Sequence, residues 1–240
     1  MRAALHAEWT KLRTIPEAAV FLLLTVVLTV ALSVTAAALG AVDRVEASLL
    51  GVRLGQAVVA AWAIQLLAGE FGTGLASTTF IALPRRLTVL TAKAVLLLTG
   101  VLAAAVVSVT ASVLAGRILI DDYPPLTDGP LRAAAGSVGY LLLIALLGLG
   151  AGAALRSAVG ATSIVLGLLY LTPVIIGMFS DLETQHHIFR AMPGTAGLTV
   201  LSTVDMGTLP IQPLPGLVVA ATWAFVTLGV GAAVFCARDV

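Results

Sequence analysis

Long apolar runs separated by short polar stretches dominate this chain. The runs cover about residues 18–39, 51–68, 88–114, 133–155, 158–179 and 216–237. A helix needs ~20 mostly apolar residues to cross the hydrocarbon core of a bilayer. The pattern therefore predicts an all-α, polytopic membrane protein with six transmembrane helices and no soluble domain. The second run is the least apolar, because it holds Arg53, Gln56 and Gln65. Arg53 lies near one end, where a long side chain can reach the headgroups. The two glutamines are costly in lipid unless they face protein. The first run resembles a secretory signal only superficially. A signal's apolar stretch is about 7–15 residues, whereas this one is longer and follows a polar N-terminal segment, so it reads as a retained first span.

Composition agrees. Of 240 residues, 60% are hydrophobic and 10% charged, with a mean hydropathy of +1.09. Soluble domains are about 45–50% apolar and roughly 25% charged. So few charges cannot cover a water-facing surface, which excludes an ordinary soluble enzyme, a disordered chain and a nucleic-acid-binding protein. A membrane β-barrel would alternate apolar and polar positions and dilute the average. The single cysteine, Cys236, forms no internal disulfide, and no cysteine pair offers a metal site.

Charge placement predicts orientation. With the N-terminus inside, eight basic residues fall inside (Arg2, Lys11, Arg13, Arg85, Arg86, Lys93, Arg156 and Arg238) and five outside (Arg44, Arg53, Arg117, Arg132 and Arg190). The excess of inside Lys and Arg puts both termini in the cytoplasm.

Two polar segments stand apart from the runs. Residues 1–15 place Leu5, Trp9 and Leu12 on one helix face, with Arg2, His6, Lys11 and Arg13 largely off it. That suits either an interfacial helix with Trp9 at headgroup level or a plain basic flank; Pro16 then bends the chain into the first span. Between spans two and three, Glu70, Gly74 and Thr78 recur every four residues. Pro84 follows, and Arg85, Arg86 and Lys93 anchor the next helix at the cytoplasmic surface. The segment reads either as a short helix open to a docking partner or as a loop with a basic cluster.

Glu-Trp-Thr-Lys-Leu-Arg-Thr at residues 8–14 resembles the stretch before span one in the membrane subunits of bacterial type-2 ABC exporters. So do Gly-Glu-Phe-x-x-Gly with a following Ser-Thr-Thr, and Pro-Arg-Arg-x6-Lys at 84–93. The six-span layout is that family's too. The resemblance implies an elbow helix at residues 1–15. It also implies a coupling helix at about 70–82, whose Glu70, Phe71, Thr73, Gly74, Ser77 and Thr78 touch an ATP-binding subunit. Two ATPase copies and a second permease, identical or homologous, complete such a transporter in the bacterial plasma membrane. ATP and magnesium are then held by the ATPase and no cofactor by this chain. The family's Arg after the aromatic is absent here, so the resemblance implies no salt bridge from that position to an ATPase. The chain has no Gly-x4-Gly-Lys-Ser/Thr loop, so an ATPase would have to be a separate polypeptide. The Arg-over-Lys skew with abundant Ala, Gly and Val suits a high-GC source such as an actinobacterium.

Within the spans charge is scarce, which argues against an ion-coupled pump. Ser108-x3-Ser112-x3-Gly116 and Gly148-x3-Gly152 allow close helix contact. Pro173 is expected to kink span five beside Thr172, and Gln56, Gln65, Thr172 and Pro173 are candidate path-lining positions. A largely apolar path suits an amphipathic or lipid-like cargo. In the loop at 180–215, the resemblance implies a re-entrant segment, for which the apolar residues alternating with Gly and Thr at 188–203 are compatible. Asp181, Glu183, His186 and His187 there read as solvated rather than metal-binding. An ion-coupled carrier or a non-transporting membrane partner is the alternative. No His-Glu-x-x-His or Gly-x-Ser-x-Gly motif points to an enzyme.

Overall fold

A computed structural model describes residue 10 and residues 16–39, 43–72, 86–125, 127–204 and 207–237. These residues are mostly helical, with no strand among them. In chain order the helices are α1 (Glu17–Leu39), α2 (Arg44–Leu49), α3 (Val52–Gly72), α4 (Arg86–Leu119), α5 (Asp128–Leu155), α6 (Ala158–Leu166), α7 (Thr172–Ile176), α8 (Leu182–Ala191), α9 (Pro193–Leu198) and α10 (Pro213–Ala237). Six stretches are long and apolar enough to cross a membrane: α1, α2 with α3, α4, α5, α6 with α7, and α10. The chain thus has the build of a multi-pass membrane protein.

Helix α1 is inside-out by the standard of a soluble protein. Helix α1 buries Ala18, Thr25, Thr29, Ser33 and Ala37, while Val20, Leu23 and Val27 on its other side are exposed. The reason is that lipid is as apolar as leucine. Leucines gain little by turning inward, whereas small residues allow close contact between backbones. Thr25 returns its hydroxyl to the Phe21 carbonyl at 2.8 Å, which satisfies it without a second helix. Ser33 Oγ accepts the Gly51 N–H at 3.1 Å. Gly51 and Gly55 give α1 its closest approach to the start of the second crossing, since a Cβ on Gly51 would lie 2.6 Å from Ser33 Oγ.

Helix α5 is the centre, packed on α3, α4, α6 and α10. Its glycines divide by face. Gly148 and Gly152 lie against the Ala60 and Ile64 backbone of α3, and Gly150 lies against Thr227 and Leu228 of α10. The expected small-residue contact of α4 is also present. Ser108 and Ser112 are buried, and Gly116 abuts Ser48 and Tyr123.

The fifth stretch long enough to cross is not one regular helix. Residues Gly167–Leu171 form a π-helical turn between α6 and α7, just before Pro173. A proline inside a helix lacks a donor and crowds the preceding turn, and a wide turn is a common way to absorb that. The expected kink is therefore a π-turn. The run expected at 188–203 divides at Met192. Ile188–Ala191 belongs to α8, which has no buried residue. Pro193–Leu198 and the 3-10 turn Thr199–Leu201 are almost wholly buried, packed on α5 and α10. Gly194, Gly197 and Gly216 make the fit, against Leu169, Tyr140 and Ala196 respectively.

Candidate functional site

Charged and polar side chains collect at three levels. The first is the end of the bundle formed by the last turns of α3, α5 and α10. Lys93, two turns into α4, is 1% exposed. Its Nζ donates to Glu70 Oε1 at 2.8 Å and to the Leu66 carbonyl at 3.2 Å. Lys93 was expected as a surface anchor and Glu70 as a partner contact; the fold brings the two together inside the bundle.

Phe71 is the next residue, in the last turn of α3. Its ring meets Phe235 of α10 edge-on, with centroids 6.2 Å apart and planes at 82°. The Arg156 guanidinium carbon lies 4.9 Å from the Phe71 centroid. Arg156 ends α5 in the left-handed conformation at φ 52°, with its N–H on the Gly152 carbonyl. The last turn of α3 is thus held from α4 by an ion pair, from the α5–α6 turn by a cation over a ring, and from α10 by a second ring. Thr73, Gly74, Ser77, Thr78 and Arg85 lie outside the described residues, as do Trp9, Lys11 and Arg13. Arg86 is the first residue of α4.

The second level is the middle of the bundle. Gln56 is 1% exposed and Tyr140 fully buried. The Tyr140 hydroxyl donates to Gln56 Oε1 at 2.5 Å. Tyr170, carried on the π-turn, donates its hydroxyl to the Arg53 carbonyl. Gln56 is therefore a core link between α3 and α5 in this conformation. Gln65, on the same helix, is exposed on the outside of the bundle. Thr172 is buried and returns its hydroxyl to the Leu168 carbonyl at 2.6 Å. The four candidate path positions thus do not share one surface.

The third level is the opposite end. Asp43 caps α2 by accepting from the Val45 and Glu46 N–H groups. The same carboxylate accepts from the Thr203 N–H at 2.6 Å, the Thr203 hydroxyl at 2.9 Å and the Val204 N–H at 3.0 Å. Burial raises the Asp43 pKa, but these hydrogen bonds outweigh it and hold it below the ordinary carboxyl value. Glu46 accepts from the Ser202 hydroxyl at 2.8 Å, and Arg132 donates to the Ser202 carbonyl at 2.8 Å. Burial raises the pKa of Tyr123, whose hydroxyl pairs with Ser48 at 2.9 Å. This end is a polar clasp joining α2, α5 and the segment after α9.

Among the described residues no group of three or more His, Cys, Asp or Glu is placed to hold a metal ion. Asp181 caps α8 through Glu183 and Thr184, and His187 lies 3.8 Å from Glu183 with both exposed. Sequence reasoning missed Tyr140, Tyr170, Arg156, Phe235 and Asp43. The tyrosines carried a usable signal, since a hydroxyl inside an apolar helix needs a partner. Arg156 and Phe235 carried none, because their meeting depends on how α5 and α10 pack.

No family model matches this chain, and no curated protein matches it.

Proposed function

We propose that the chain is the membrane subunit of an ATP-driven exporter of the type-2 ABC kind, working with a separate ATPase. The observation that carries this reading is the clamped end of α3. Glu70 and Phe71 begin the stretch that resembles the family's coupling helix, and both are fixed to other helices of the bundle. A push delivered to residues 73–85 would reach α4, α5 and α10 directly. Both termini and this end of the bundle would face the cytoplasm, with residues 1–15 lying on the inner leaflet of a bacterial plasma membrane.

The exposed side of α3 supports a second permease copy. Gln65 lies there, well inside a helix long enough to cross the bilayer. Facing lipid, its amide would have no polar neighbour; facing a path between two copies, it would meet cargo or water. A path of one glutamine among small and apolar residues fits an amphipathic or lipid-like cargo better than a sugar. The buried segment Pro193–Leu201 would close that path from outside.

One observation favours a second reading. The Glu70–Lys93 pair is a buried titratable couple of the sort that ion-coupled carriers use. Flux of an amphipathic dye in vesicles from the native membrane separates the two. Flux that requires ATP and survives collapse of the ion gradients supports the exporter. Flux driven by a gradient without ATP supports the carrier and overturns the exporter.

A further inference from the structure

We infer that Arg156 is a positioning residue that locks the last turn of α3 to the rest of the bundle, so that movement entering at the α3–α4 connection is passed to α5, α6 and α10. This rests on the exporter reading, in which an ATPase moves that connection.

The Arg156 conformation is the first reason. At φ 52° it occupies the left-handed region, where a side chain is strained and glycine is at ease. Glycine would end α5 here without that strain. What glycine would lack is the cation over Phe71, whose own ring edge is locked on Phe235.

Position is the second reason. Phe71 follows Glu70, so the ion pair to Lys93 and the Arg156 contact grip neighbouring residues of one helical turn. Phe235 is 1% exposed and meets the Phe71 ring edge-on, which couples α10 to the same turn. Without Arg156 the turn would keep its ion pair to α4 and its ring contact with α10, and lose the cation contact from the α5–α6 turn. Force would then reach α5 and α6 only through the helix packing further along α3, not from its last turn.

The test uses the single cysteine, Cys236, which is exposed and adjacent to Phe235. A nitroxide on Cys236 is compared in the full-length protein carrying no further change, Arg156→Gly, Arg156→Lys or Phe71→Ala. The glycine variant suits the left-handed backbone and Arg156→Lys keeps the cation, so the pair separates loss of the contact from loss of folding. Label mobility should rise in Arg156→Gly and Phe71→Ala and stay near wild type in Arg156→Lys. In vesicles that also hold the ATPase, Arg156→Gly should keep ATP hydrolysis while cargo moved per ATP falls. Unchanged label mobility and unchanged cargo per ATP in Arg156→Gly overturn the role of Arg156 alone. Wild-type protein without ATP-driven flux overturns the exporter reading and the coupling role together.

Discussion

Lys93 Nζ lies 2.8 Å from Glu70 Oε1, and the lysine is 1% exposed. Glu70 is therefore tied to the fold of the bundle, whatever partner it meets. Replacing it alone takes the carboxylate from a buried cation that also donates to the Leu66 carbonyl, at a cost of up to about 3–5 kcal/mol. Replacing both members with apolar residues removes the uncompensated charge and is close to neutral in many proteins.

We therefore expect Glu70→Leu and Lys93→Met each to lower the thermal midpoint sharply in detergent, and the double variant to recover most of it. Transport in the recovered double variant then isolates the coupling role of Glu70. Stable protein with lost ATP-driven flux assigns Glu70 to coupling, and intact flux confines it to stability.

The Tyr140–Gln56 bond makes a similar prediction in the core. Tyr140→Phe leaves the Gln56 amide oxygen buried without that donor, at a cost of about 1–3 kcal/mol. Adding Gln56→Leu removes the orphan, and the pair should be close to neutral. A midpoint unchanged in Tyr140→Phe would contradict the bond.

Glycine substitutions should follow packing. A Cβ on Gly150 would lie 2.5 Å from Leu228 N and 2.6 Å from the Thr227 carbonyl oxygen, whereas one on Gly229 meets nothing within 4 Å. Gly150→Ala should force α5 and α10 apart and lower the midpoint by an amount typical of overpacking, about 1–3 kcal/mol. Gly229→Ala should be neutral or stabilise by up to about 1 kcal/mol through helix propensity.

Asp43 links the clasp to pH. Its pKa is below the ordinary carboxyl value, because its hydrogen bonds outweigh the opposing effect of burial. A lowered folded-state pKa adds stability that is complete above the ordinary value and lost as pH falls through the folded one. Proteolysis near residues 202–204 should therefore rise below about pH 4. In Asp43→Asn the acceptor is weakened at every pH, so cleavage should already be raised at neutral pH and should change less on acidification.

Much of this was legible in the chain. The apolar runs at 18–39, 133–155 and 216–237 correspond to α1, α5 and α10 to within a few residues. Hydropathy underestimates α4, which continues to Leu119 through Arg117, because a helix end at the membrane surface tolerates charge. It also passes over α2, six residues held by the Asp43 cap. The buried stripe Thr25, Thr29 and Ser33 was hidden, since small hydroxyls scarcely lower the mean and their bonds can close on the same helix. The glycine spacings of α5 were readable as contacts, but not which neighbour each would meet. The candidate site was legible only in part. Glu70 and Lys93 were each singled out, while their pairing across 23 residues depends on the angle between α3 and α4. Tyr140 is what turns Gln56 inward, and it sits on another helix.

The most direct measurement is the mass of the intact assembly, extracted from its native membrane into detergent and released under non-denaturing conditions. The exporter reading predicts two membrane subunits, this chain paired with itself or a homologous permease, with two copies of a P-loop ATPase, and ATP hydrolysis by the same preparation. This chain recovered without an ATPase, in a preparation that hydrolyses no ATP but still carries cargo in vesicles, would contradict it.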